Sequence, residues 1–205
     1  MSELRTALEK RFGEHRVSDY PSQDSDYVDL LKIEVEKKFP LTILSTNGMS
    51  SYKMPVPERY KGREYTEVLF CLPGYWDLND KDNANMNWPL KDLQKLAKNV
   101  IENESWYGPG HTIANGNPST GISDTMKQEY FLLADPIVLE DFFAPIIVGD
   151  KTVHFLAIIP LFHKEFEQKM HSGYPKWIKK FRARNGNEIL DDYRQSIYKS
   201  RWKMF

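Results

Sequence analysis

Apolar and polar residues alternate along LLKIEVEKK, where Leu31, Ile33 and Val35 share one side and Lys32, Glu34 and Glu36 the other. A period of two predicts a strand with one buried face. PLTILSTNGMS, ending in a turn at Asn47 and Gly48, and EYTEVLFCLP, closed by Pro73, predict its antiparallel neighbours. EYFLLA, PIVLEDFFAPIIVG and VHFLAIIPL give three further strands, punctuated by Pro and Gly. The period lengthens after Pro89, where Leu90, Leu93, Leu96, Ala97, Val100 and Ile101 fall on one face with Lys91, Asp92, Lys95 and Lys98 outside it. This predicts a core-covering helix with Pro89 in its first turn, where the missing N–H is not needed. Ser2 is placed to cap an earlier helix carrying Leu4, Ala7, Leu8 and Phe12, and Gly13 to end it.

The C-terminal third reads as helical in three pieces: FHKEFEQKMHSG, PKWIKKFRARNG and NEILDDYRQSIYKSRW, the last with Ile189, Leu190, Tyr193 and Ile197 on one stripe. The polar stretches at residues 19–29 and 73–87 read as loops. Strands come in groups without a helix between each pair. The pattern therefore predicts an α+β fold, a mainly antiparallel β-sheet covered by helices, with a helical C-terminal third. One domain over residues 1–205 accommodates it, with the final helix at 186–205.

At 205 residues, 40% apolar side chains suffice for a core and exclude disorder. No apolar run reaches membrane-spanning length, and MSELRTALEKRF lacks the apolar centre and cleavage site of a signal peptide, which predicts a cytoplasmic protein without a membrane partner. The single cysteine, Cys71 in VLFCLP, reads as a small buried hydrophobe. The net charge of −1 conceals an asymmetry. Residues 173–205 carry nine Lys and Arg against three Asp and Glu, which leaves 19 of the 28 basic and 26 of the 29 acidic residues in the body. An acidic body suits a basic partner, and a basic tail an acidic one.

WYGPGHTIANG, residues 106–116, has the glycines and histidine of a candidate active loop, yet lacks the Lys and Ser or Thr of a phosphate-binding loop. Ile113 stands where a dinucleotide fingerprint needs glycine. His111 has no evident neighbour in sequence to orient it as a general base; a hydrolase built on it would need a carboxylate brought by the fold. In WDLNDKDNANMN, counting from Asp77, Lys81, Asp82 and Trp88 occupy positions that a calcium loop gives to ligands and glycine. His163, Glu167 and His171 lack a zinc-site pattern. KWIKKFRAR interleaves aromatics with cations, as nucleic-acid binders do, but Trp177, Ile178 and Phe181 also form one apolar stripe, and packing on the body is favoured over nucleic acid.

In order along the chain, STNGMS, EYTEVLFCLP, NWPLKDLQKLA, WYGPGHTIANG and FLAIIPLFHKEFEQKMHSG resemble the suppressor of fused domain family over residues 28–185. The resemblance implies a non-enzymatic protein with no catalytic residue, metal ligand or cofactor. In animals the domain is one half of a peptide-binding clamp for zinc-finger transcription factors. The bacterial stand-alone branch, which this chain resembles in size, is regarded as antitoxins or immunity proteins that neutralise a cognate polymorphic toxin, often a nuclease. Two regions are candidates for partner contact: the acidic loop with Trp76, Asp77, Asp80 and Asp82, and the motif loop with Tyr107 and His111.

Overall fold

The computed structural model describes residues 2–20, 28–36, 38–80 and 82–198; most of the expected loop at 19–29 lies outside them. The first helix, α1 (Glu3–Phe12), forms where its caps place it. Ser2 Oγ accepts the Arg5 N–H at 3.1 Å, and Gly13, at φ +98°, ends it. Leu4 and Leu8 turn inward.

Among the described residues, eight strands form one sheet: β1 (Val17–Tyr20), β2 (Asp29–Glu36), β3 (Pro40–Asn47), β4 (Tyr65–Pro73), β5 (Thr112–Ala114), β6 (Tyr130–Ala134), β7 (Ile146–Val148) and β8 (Lys151–Leu161). Their order is β1-β2-β3-β4-β8-β6-β5, with β7 paired to β8. The strands predicted at 30–50 and 64–73 pair antiparallel, Ile43 standing opposite both Ile33 and Cys71. The exception is β4 with β8, which run parallel from Tyr65 opposite Val153 to Leu69 opposite Ala157. The chain leaves β4, crosses through a helix and lays down β5 and β6 before β8 inserts between β4 and β6. A long crossover of this kind is what a parallel pair requires.

Alternation along each strand divides the core. Leu30, Leu44, Val68, Phe70, Leu133, Leu156 and Ile158 pack beneath α2 (Ala84–Glu102), through Leu93, Leu96, Ala97 and Val100. On the other face, Ile33, Ile43, Leu69 and Phe155 meet α1 and Leu139. Leu132, Ile159 and Leu161 meet Trp177 and Phe181 of α4 (Tyr174–Arg182). The KWIKKF stripe is thus core: Trp177 and Phe181 are fully buried and stack at 4.8 Å. The fourth helix, α3 (His163–Ser172), lies between β8 and α4.

Three elements depart from the sequence expectation. α2 begins five residues before Pro89, so the proline sits inside the helix. That added turn is held by side chains: Asn83 Oδ1 accepts the Asn85 N–H at 3.2 Å, Asn87 bonds the Asn83 carbonyl at 3.2 Å, and Trp76 Nε1 bonds the Met86 carbonyl at 2.8 Å. PIVLEDFFAPIIVG keeps only β7 as strand. Leu139 and Phe143 are buried as a strand's would be, but the N–H groups of Ile137, Val138 and Leu139 go to the Glu188 carboxylate instead of a neighbouring strand.

NEILDDYRQSIYKSRW is not helical over its described part, residues 187–198. Asn187 Oδ1 accepts the Ile189 N–H, Asp191 Oδ1 that of Tyr193, and Ser196 Oγ that of Tyr198. Such local side-chain bonds compete with the helical ladder. The segment is anchored further by Leu190 N–H on the Cys71 carbonyl at 2.8 Å. The C-terminal third is therefore helical only through α3 and α4 among the described residues.

Candidate functional site

The motif loop is built around its two glycines. A Cβ at Gly108 would lie 2.7 Å from the Trp106 ring, and one at Gly110, at φ +93°, 2.8 Å from Tyr174 Cγ. Both positions need glycine so that an aromatic ring can close on the backbone. The loop then docks on β6: Gly110 N–H bonds the Leu133 carbonyl at 2.7 Å, and the His111 carbonyl accepts the Leu133 N–H at 2.9 Å. Tyr60 donates to the Pro109 carbonyl at 3.3 Å and tilts against Trp106.

His111 is half-buried, its ring edge-on to Trp106 at 4.2 Å. Its pKa lies below the ordinary imidazole value, first through burial and next through the nearby Lys169 charge, with Arg59 adding to the effect and the Trp106 backbone opposing it. Lys169 Nζ donates to Thr112 Oγ1 at 2.7 Å, so α3 and the edge strand β5 bring a second cation to the histidine. Among the described residues, no Asp or Glu contributes to the His111 pKa shift.

Tyr107 is 6% exposed; its hydroxyl donates to the Leu96 carbonyl at 3.0 Å, and burial pushes its pKa up to about 12. Trp76, also 6% exposed, packs edge-on to Trp88 beneath the acidic loop. Neither ring faces solvent. Asp77, Asp80 and Asp82 are exposed, Asp77 accepting the Asn79 N–H at 2.8 Å. The two candidate regions meet α2 at different turns, Trp76 at the Met86 carbonyl and Tyr107 at the Leu96 carbonyl.

The residues that sequence reading missed are three fully buried carboxylates. Glu67 accepts the Gly48 and Ser50 N–H groups at 3.1 and 2.9 Å and the Thr46 hydroxyl, and burial pushes its pKa up. Glu165 takes the Arg194 guanidinium through both oxygens, together with the N–H groups of Phe162 and Ile197. Glu188 gathers the three N–H groups of residues 137–139. A buried carboxylate is tolerable only with such partners. Only Glu165 had a local signal, its position three residues after the start of FHKEFE, from which it reaches back to the Phe162 N–H.

The C-terminal segment brings Asp191 and Asp192 beside the acidic loop, the Tyr75 hydroxyl donating to Asp192 Oδ1 at 2.8 Å. Tyr75 and Tyr193 are 54% and 80% exposed at this end of the sheet. Among the described residues no three His, Cys, Asp or Glu side chains gather to hold a metal, and no helix is long and apolar enough to cross a membrane.

Among the described residues, one helix across one face of an eight-stranded sheet, and three on the other, define the class: an α+β sheet domain. The family model of the Suppressor of fused protein (SUFU) matches residues 24–195, and the chain belongs to that family. No curated protein matches it. Among solved structures it is similar to a SUFU homologue from Neisseria gonorrhoeae FA 1090, with TM-score 0.69, 12% identity and 97% of each chain covered. It is also similar to a chain of the Sufu-Fu complex, with TM-score 0.66, 16% identity, and 94% of this chain and 89% of that one covered. Suppressor of Fused from Drosophila gives TM-score 0.54 at 18% identity over 88% of this chain, which spans 42% of the fly chain.

Proposed function

We propose that this protein is a non-enzymatic antitoxin or immunity protein that binds a basic toxin, a nuclease by its charge, and occludes the surface that would meet nucleic acid. The observation that carries this reading is the exposed end where Tyr75 and Tyr193 stand among Asp77, Asp80, Asp82, Asp191 and Asp192. Exposed aromatics supply anchors, and clustered carboxylates steer a cationic partner and fix its orientation. Membership of the SUFU family supports a binding role, since one similar structure is that of a Sufu-Fu complex. A hydrolase centred on His111 has less support, because the charges acting on that ring are cations.

Co-expression with the protein encoded by the adjacent reading frame tests the proposal. A stable one-to-one complex and relief of growth arrest are expected. Arrest that persists, with no complex recovered, sinks it.

A further inference from the structure

Lys169 is 8% exposed, and burial alone acts on its ammonium, with no Asp or Glu in ion-pair range among the described residues. Its one oxygen partner there is the Thr112 hydroxyl at 2.7 Å; Met170 Sδ lies at 3.9 Å. A helical lysine commonly meets a carboxylate one turn away. Here that residue is Glu165, whose oxygens are committed to Arg194 and to two backbone N–H groups. An ammonium has three N–H donors, and a hydroxyl that accepts from it still has a proton to give. The surroundings add positive charge: His111 feels both Lys169 and Arg59. The cluster is reachable, since Thr112 lies on the outermost strand and both His111 and Thr112 are half-exposed.

Burying a cation beside a neutral hydroxyl is less favourable than burying an apolar side chain of the same length. We propose that Lys169, Thr112 and His111, with Arg59 at the rim, form a recognition site for the carboxylate of a Glu or Asp side chain carried by a bound polypeptide. Lys169 donates to one carboxylate oxygen while Thr112, accepting from Lys169, donates its own proton to the ligand. The aromatic wall of Trp106 and Tyr60 confines the approach. This site shares no residue with the acidic face, so it stands whether or not that face binds a toxin.

The test is a nitrogen-15 NMR titration of the intact protein with the capped tripeptide acetyl-Gly-Glu-Gly-amide, against its Gln counterpart at matched ionic strength. Saturable shifts of the His111 and Thr112 amides with the Glu peptide alone are expected. They should vanish in Lys169→Met and weaken severalfold in Thr112→Val, with the remaining spectrum of each variant unchanged. Equal shifts with both peptides, no shift with either, or full retention in Lys169→Met overturns the proposal. Lys169→Met should also raise the unfolding midpoint without ligand; a lowered midpoint makes the ammonium structural and overturns the proposal as well.

Discussion

Arg194 grips Glu165 through two nitrogens, at 2.7 and 2.8 Å, and the carboxylate it holds is fully buried while the guanidinium retains little exposure. This fork fastens the non-helical C-terminal segment to the first turn of α3. The same guanidinium donates to the Pro160 carbonyl at 2.7 Å and lies over the Phe162 and Phe181 rings.

Removing one partner strands a buried charge. Arg194→Ala is expected to cost about 3 kcal/mol in urea denaturation. Replacing both residues, Arg194→Met with Glu165→Gln, which removes the charge but keeps an acceptor for the Phe162 and Ile197 N–H groups, should recover part of that loss. A double variant as unstable as the single one would show that the fork itself, and not the stranded charge, sets the cost.

Gly110 and Gly62 share the left-handed conformation, at φ +93° and +91°, but differ in surroundings. A Cβ at Gly62 meets nothing within 4 Å, whereas one at Gly110 runs into Tyr174. Gly62→Ala should cost about 1 kcal/mol from backbone strain alone. Gly110→Ala should cost about 2 kcal/mol more, because the ring must shift. Equal losses in thermal denaturation would contradict the packing role assigned to the motif glycines.

The fold holds the His111 pKa below the ordinary 6.5, burial being the main cause. Between that lowered value and 6.5 the unfolded chain binds more protons than the folded one. Stability therefore falls as pH drops through this window, and is fully retained above it. His154 is shifted the same way, again chiefly by burial, so His111→Gln should flatten the profile of denaturation midpoint against pH without levelling it. A variant profile parallel to the wild type would refute the assignment.

Asp80→Asn with Asp82→Asn alters exposed side chains only. Against the basic partner proposed above, the double change should slow association by about tenfold at low salt. The difference should shrink as salt rises. An unchanged association rate, measured by stopped-flow fluorescence, would move the contact surface elsewhere.

The strands from 30 to 73 and the bodies of α1 to α4 were legible because each carries its own period: Ile33 alternates, and in α1 Ser2 and Gly13 also mark the ends. The failures share a cause. PIVLEDFFAPIIVG is as apolar as a strand, but its backbone partner is a carboxylate about fifty residues away, and no periodicity encodes that. Of the candidate contact residues, Trp76 and Tyr107 proved buried, since an aromatic in a polar loop does not reveal which way its ring turns.

Local patterning by itself determined the α+β class, the ends of α1 and the glycine-dependent turn at 108–110, because propensity, capping and alternation act over a few residues. Tertiary structure alone decided the parallel insertion of β8 between β4 and β6 and the non-helical path of residues 187–198. It alone also brought Lys169 to His111 and Asp192 to Tyr75. Those depend on which distant groups satisfy buried charges and backbone donors, and long-range pairing of that kind leaves no trace in local sequence.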